Sequence, residues 1–183
     1  MIAGPNGAGK TTLVTRRIEQ RIPVVNPDNI AQDLPRVNGG LDERGAGEIA
    51  LRRRESMLRE GASFAIETTL SGNSTLRFMA AAREAGHKIS LVFVGVRSVE
   101  ISGRRVADRV RRGGHAVPVT AILRRYPDAL AKLPKALRLA DRIFVLDNSG
   151  ERRRLLLAYE NGHARFLARD LPAWLTNALS GII

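Results

Sequence analysis

The apolar positions of this chain follow two alternating rhythms. Short, near-continuous runs occur at Met1–Ala3, Pro23–Asn26, Ser63–Thr69, Lys88–Val96 and Arg142–Asp147. They read as strands covered by helices on both faces, because a strand with one solvent face would alternate polar and apolar residues instead. Between the runs the period lengthens. Val14, Ile18 and Ile22 recur at helical spacing and stop at Pro23, which cannot continue a helix. Val119, Ile122, Tyr126, Leu130, Leu133 and Leu137 keep the same rhythm, as a helix covering a sheet does, and Pro127 and Pro134 are expected to kink or split it. Strands alternating with helices predict an α/β fold with a mostly parallel central sheet.

Further along, Leu155–Tyr159 and Ala164–Ala168 flank an Asn161-Gly162 pair, the pattern of a hairpin with a tight turn. Leu171–Leu179 is expected to close the chain as a helix. The first run is three residues long, whereas strands usually have ~5–6. A strand beginning upstream of Met1 and a truncated strand are both open.

A length of 183 residues suits one domain, since a single core serves ~100–200 residues. We expect a core over 1–148 that includes a lid over about 97–125, and a C-terminal hairpin and helix over 149–183. With 44% hydrophobic and 26% charged residues, the chain carries enough apolar material for a folded core. The run around Ile89–Val96 is far short of the ~20 residues that span a bilayer, and MIAGPNGAGK lacks the features of a signal peptide. A cytoplasmic protein without a membrane partner is expected. The absence of cysteine excludes disulfides, thiolate nucleophiles and cysteine-held zinc.

The net charge of +12 invites a nucleic-acid partner, because basic proteins bind by neutralising phosphates. Two features weaken that reading. Only Lys10, Lys88, Lys132 and Lys135 are lysines, so 26 of the 30 cations are arginines. Aromatic residues make up 4%, which leaves little for base stacking.

The clearest chemistry lies at the start. Gly4-Pro5-Asn6-Gly7-Ala8-Gly9-Lys10-Thr11 matches GxxxxGK[ST] between a strand and a helical pattern. Glycines there let backbone N–H groups curl around phosphate oxygens, and the following helix offers its unsatisfied N-terminal donors to the same anion. Lys10 is expected to reach the β- and γ-phosphates, and the Thr11 hydroxyl to ligate Mg²⁺. Gly4 through Thr12 are the expected ATP contacts, namely Gly4, Pro5, Asn6, Gly7, Ala8, Gly9, Lys10, Thr11 and Thr12.

Phosphoryl transfer also needs a carboxylate to orient or deprotonate the acceptor and cations over the transferring group. Asp28 follows the Val24-Val25-Asn26 run, and Glu67 follows Phe64-Ala65-Ile66. In such sheets the ligand crevice lies at strand ends. Asp28 can accept a hydroxyl proton or hold the metal, or else cap a helix beginning near Asn29. Glu67 with Thr68, Thr69 and Ser71 can hydrogen-bond a polar substrate, or else pair with a surface arginine. From Arg97 to Arg125, eight arginines stand against Glu100 and Asp108. Arg105, Arg109 and Arg112 fall on one helical face that stops at Gly113-Gly114. As a set they suit a lid over a triphosphate, since guanidinium forks match phosphate geometry; singly, each is also consistent with a solvated face.

The order GPNGAGKTT, NPDNIA, FAIETTLSG, RVADRVRRGGHAVP, ILRRYPDAL and VLDNS resembles the zeta toxin-like family of P-loop kinases, from Met1 to about Asn148. That resemblance implies a three-layer P-loop kinase fold and transfer of the ATP γ-phosphoryl, with Mg²⁺, to a hydroxyl of a small acceptor such as UDP-N-acetylglucosamine. It also implies an antitoxin partner. It makes Asp28 the catalytic base, Glu67 and Thr69 acceptor contacts, and Arg109, Arg124 and Arg125 the source of charge stabilisation. At 183 residues the chain is expected to lack the extensions of the longer toxins.

Two other readings compete with this one. Leu70-Ser71-Gly72 hints at an ATPase signature, and Phe144–Asp147 at the acid strand of such machines, but no Glu follows Asp147. A polynucleotide or RNA-end kinase would use the same base and arginines together with the +12 charge. A nucleotide-gated binding module is the non-enzymatic alternative.

Overall fold

A computed structural model describes residues 1–179, apart from the side chains of Arg16 and Arg17. The last four residues of the expected C-terminal segment, 180–183, lie outside the described residues. In chain order the elements are β1 (Ile2–Ala3), α1 (Lys10–Arg17), β2 (Val24–Val25), α2 (Pro27–Asp33), α3 (Glu43–Arg59), β3 (Ala65–Thr68) and α4 (Asn73–Glu84). They continue with β4 (Ser90–Gly95), α5 (Val99–Arg111), α6 (Val119–Leu139), β5 (Arg142–Asp147), β6 (Arg154–Glu160), β7 (His163–Leu167) and α7 (Ala173–Leu179). Every apolar run that predicted a strand holds one. The chain forms two compact units, one of Thr11–Glu67 and one of Met1–Lys10 with the chain from Thr68 onward.

In the smaller unit β2 runs parallel to β3, with Val24 opposite Ala65 and Val25 opposite Ile66. Helices α2 and α3 pack on each other, and Ile30 and Ala31 of the first and Ala46 and Ala50 of the second are buried. Both helices begin on side-chain caps. The Asn26 Oδ1 accepts the Asp28 N–H at 2.9 Å with Pro27 in the first turn, and Asp42 Oδ1 accepts the Gly45 N–H at 2.8 Å. Each cap satisfies a donor that the helix itself leaves unpaired. The alternative that Asp28 is the cap is thereby corrected: Asn26 caps α2, and Asp28 lies inside its first turn.

In the larger unit β1 and β4 are parallel, as are β4 and β5, which pair along their whole length from Ser90–Arg142 to Gly95–Asp147. The strands β6 and β7 extend this sheet as an antiparallel hairpin. Its turn carries positive φ at both Asn161 and Gly162, the tight form that matches strand twist. Central β4 is buried at Leu91, Phe93 and Val94, which is why its sequence does not alternate. Helix α7 packs against it, with the Phe93 and Trp174 rings 5.9 Å apart. A Cβ on Gly95 would lie 2.5 Å from the Trp174 ring, so this approach requires glycine.

Helix α6 runs unbroken for 21 residues through Pro127 and Pro134, which corrects the expectation of a split. A mid-helix proline costs ~3 kcal/mol, but Ile122, Ala129, Leu133, Ala136 and Leu137 are buried along the helix. Packing on both sides of each proline offsets that cost. The helix is also tied to β4 by the Tyr126 hydroxyl, which donates to the Val96 carbonyl at 2.8 Å. Burial pushes the pKa of this phenol up, so it stays protonated and donating. No described helix is long and apolar enough to cross a membrane.

Candidate active site

In the larger unit the glycine loop leaves β1 and runs over the end of β4. Lys10 and Asn6 are buried, and the Lys10 ammonium donates to the Pro5 carbonyl at 3.0 Å. Three further loop carbonyls receive donors from distant elements. The Ser102 hydroxyl on α5 donates to Asn6 O, the Asn148 amide after β5 donates to Ala8 O at 2.8 Å, and the Arg153 guanidinium donates to Gly9 O at 3.2 Å. In a planar trans peptide C=O and N–H point opposite ways. Holding these carbonyls therefore turns the N–H groups of Gly7, Gly9 and Lys10 away from the three donors. Gly9 has φ +91, and a Cβ there would lie 2.6 Å from the Asn148 amide nitrogen. With the glycines the result is a concave row of donors suited to phosphate.

The braces are themselves braced. Arg105 donates to Asn148 O at 2.6 Å and to Gly150 O at 3.4 Å. The Asn148 N–H donates to Gly95 O at 2.9 Å. The Ser149 hydroxyl donates to Asp147 Oδ1 and accepts the Arg97 N–H at 2.8 Å. Sequence reasoning missed Ser102, Asn148 and Arg153 as loop partners. The one signal pointing to them is position, since Asn148 directly follows a strand end.

The arginine segment divides by what each guanidinium touches. Arg109 donates to the His115 carbonyl at 2.8 Å, which holds the GGHAVP turn against α5 and uses the backbone of His115. Gly114 N–H bonds to Arg109 O at 3.0 Å and Gly113 N–H to Val110 O at 2.9 Å, the paired bonds of a Schellman stop. Arg111 pairs with Asp108. Arg112 is the exposed C-cap, one residue past the end of the helix that carries Arg105 and Arg109. On α6, Arg124 is exposed and Arg125 half-buried.

In the smaller unit a hydrogen-bonded chain joins four residues from three of the singled-out segments. The Thr11 hydroxyl donates to Glu67 Oε1 at 2.9 Å, and the Asn26 amide donates to Glu67 Oε2 at 2.9 Å. Asn26 in turn accepts the Asp28 N–H. Asp28 itself is exposed, as is Thr12. Glu67 thus faces the hydroxyl expected to ligate the metal.

Past Glu67, in the larger unit, the Thr69 hydroxyl shares a hydrogen bond with Ser71 at 2.8 Å, and Leu70 N–H donates to the Thr68 hydroxyl at 3.1 Å. Leu70 is fully buried with φ +59, a conformation that costs a non-glycine residue ~1–2 kcal/mol. A cavity of about 950 Å³ lies at the opposite ends of β4 and β5, around Ser90 and Arg142, away from the loop.

A glycine-rich loop after the first strand of an α/β sheet, with a buried lysine and a threonine opening the next helix, defines a P-loop nucleotide-binding protein. The chain belongs to the AAA domain family, whose model matches residues 1–133. An uncharacterised protein of Haemophilus influenzae is 33% identical over 123 residues, covering 67% of this chain and 88% of that protein. The fold resembles a chain of the AvrRxo1-ORF1:ORF2 complex with ATP, with a TM-score of 0.71 at 18% identity, over 89% of this chain and 59% of that one. This chain therefore spans less than two thirds of the length of that neighbour. It also resembles a chain of the PezAT chromosomal toxin–antitoxin system of Streptococcus pneumoniae, with a TM-score of 0.63 at 16% identity, over 98% of this chain and 81% of that one. The fold is that of the zeta toxin-like P-loop kinases, as the motifs implied.

Proposed function

We propose that the protein transfers the γ-phosphoryl of ATP, with Mg²⁺, to a hydroxyl of a small acceptor, with nucleotide sugars such as UDP-N-acetylglucosamine the first class to test. The observation that carries this reading is the glycine loop. Its carbonyls at Asn6, Ala8 and Gly9 are held by Ser102, Asn148 and Arg153, so the chain's own hydrogen bonds fix its shape. Preorganised donors need no rearrangement as charge develops.

In this reading Lys10 places its charge on the β- and γ-phosphates. The donor set fits Mg²⁺: the Thr11 hydroxyl and Glu67 offer hard oxygens, and among the described residues no cluster of three or more His, Asp or Glu competes with them. A magnesium ion that keeps waters and takes phosphate oxygens needs only one or two protein ligands. Bound there, it would neutralise charge on the phosphates. Asp28 accepts the acceptor's hydroxyl proton while that oxygen bonds to the γ-phosphorus, the bond to the β-phosphate oxygen breaks, and ADP leaves. Arg109 is engaged with His115 O, so it supports the lid, and Arg124 and Arg125 are the cations proposed for the transferring group. Thr69 is proposed to contact the acceptor. An antitoxin partner is proposed on the fold shared with a toxin–antitoxin protein, and a cytoplasmic location accompanies it.

Phosphorus NMR of products after incubation with ATP, Mg²⁺ and a panel of nucleotide sugars and oligonucleotides tests the reading. A new phosphomonoester on a sugar supports it. Transfer confined to oligonucleotide ends, falling steeply with salt, would move the +12 chain to the polynucleotide reading. ATP hydrolysis indifferent to every acceptor would replace kinase with ATPase.

A further inference from the structure

We infer that Asn26 is a positioning residue that aims the Glu67 carboxylate at Thr11 and thereby sets the magnesium dependence of nucleotide binding. The inference rests on the phosphoryl-transfer reading above for its metal and nucleotide.

Asn26 is the residue between β2 and α2, and it is 5% exposed. Both ends of its amide are engaged. Its Oδ1 accepts the Asp28 N–H at 2.9 Å, and its Nδ2 donates to Glu67 Oε2 at 2.9 Å. The second bond fixes the carboxylate plane, so that Oε1 meets the Thr11 hydroxyl at 2.9 Å. A hydroxyl has one proton and two acceptor lone pairs. Giving the Thr11 proton to Glu67 directs the lone pairs elsewhere, as a hydroxyl that ligates a hard cation requires. Asn26 thus acts on a metal ligand through Glu67 while its other end starts the helix that carries Asp28. A carboxylate at position 26 would cap α2 but could not donate to Glu67. A serine would cap it but is too short to do both.

The experiment measures binding of a fluorescent ATP analogue to the full chain with and without Mg²⁺. For Asn26→Ser, affinity without Mg²⁺ is expected within about twofold of wild type, while the gain on adding Mg²⁺ falls by about 10- to 100-fold, as loss of outer-shell support does. Glu67→Gln should lose the same gain. The double variant should lose little more than either single one, because two residues acting through one contact are not additive. Asn26→Asp, which sets a second carboxylate against Glu67, should lose at least as much as Asn26→Ser. An unchanged Mg²⁺ gain in Asn26→Ser, additive losses in the double variant, or a wild type whose binding ignores Mg²⁺ would each overturn the inference. Should Asn26→Ser fail to fold by circular dichroism, Glu67→Gln and Asn26→Asp still decide it. Since the readout is binding, a wild type that shows the Asn26-dependent gain but phosphorylates no acceptor defeats the kinase reading alone. A wild type that phosphorylates, with kcat and Mg²⁺ gain both intact in Asn26→Ser, defeats this inference alone.

Discussion

The side-chain amide of Asn148 donates to the Ala8 carbonyl at 2.8 Å, across 140 residues of sequence. This bond ties the turn after β5 to the middle of the glycine loop. It also orients the peptide that presents the Gly9 N–H, since the two ends of a trans peptide point opposite ways. Arg105 holds Asn148 from behind through its carbonyl, so the arginine segment contributes to the phosphate site by fixing its frame.

Asn148→Ala removes that donor and leaves the Ala8 carbonyl short of a partner. The expected loss is ~1–2 kcal/mol, or about 5- to 30-fold in nucleotide Kd. Titration with a fluorescent nucleotide measures it. An affinity equal to wild type would show that the loop holds its shape without this brace.

Asp28→Asn tests the proposed base. Asp28 is exposed and Asn26 carries the cap, so thermal stability should be unchanged and ATP affinity preserved. Turnover should fall by ~10²–10⁴-fold, the usual contribution of a positioned base. Near-normal kcat in a steady-state assay would remove Asp28 from that role.

Gly95→Ala places a methyl group 2.5 Å from the Trp174 ring, and a ring inside a packed core cannot fold aside as a flexible chain end would. Overpacking of this kind costs ~1–3 kcal/mol, and Tm should drop by ~2–4 °C for each of those. Trp174 is the single tryptophan, so its emission should shift to the red as α7 lifts from β4. An unshifted spectrum with unchanged Tm would mean that the sheet yields at no cost.

Tyr126→Phe removes the bond to the Val96 carbonyl and should cost ~1 kcal/mol at neutral pH. The folded-state pKa of this phenol is raised by burial, so its contribution is fully present below the unfolded value of ~10. It is lost as pH rises through the folded value. Urea unfolding of both proteins at pH 7 and above pH 10 should show the gap between them closing. A gap that widens with alkali would contradict the assignment of the phenol as the donor.

Residues near one another in sequence announced themselves. The five strand runs, the GxxxxGK[ST] loop and the Asn161-Gly162 turn all depend on spacing within a few residues, and all stand where the pattern put them. Helix α6 departs from its local rule because burial along its length outweighs two prolines. Asp28 was legible as a strand-end carboxylate, whereas the cap at Asn26 was not, because asparagine and aspartate compete almost equally for that position. The arginines were legible as a cluster. Their contacts with the carbonyls of Asn148, Gly150 and His115 were not, because a charge run looks alike whether it braces a turn or faces water.

By itself the sequence determined the α/β class, the phosphate loop and the residue types available for phosphoryl transfer, since each follows from period, local backbone conformation and side-chain chemistry. Only the tertiary structure decided how those groups are held. Ser102, Asn148 and Arg153 converge on the loop, and Asn26 joins Glu67 to the turn of Asp28. These partners lie 41 to 144 residues apart in the chain, apart from Asn26 and Asp28. A hydrogen bond is set by distance in space, and no periodicity along a chain encodes which distant carbonyl a given amide will reach.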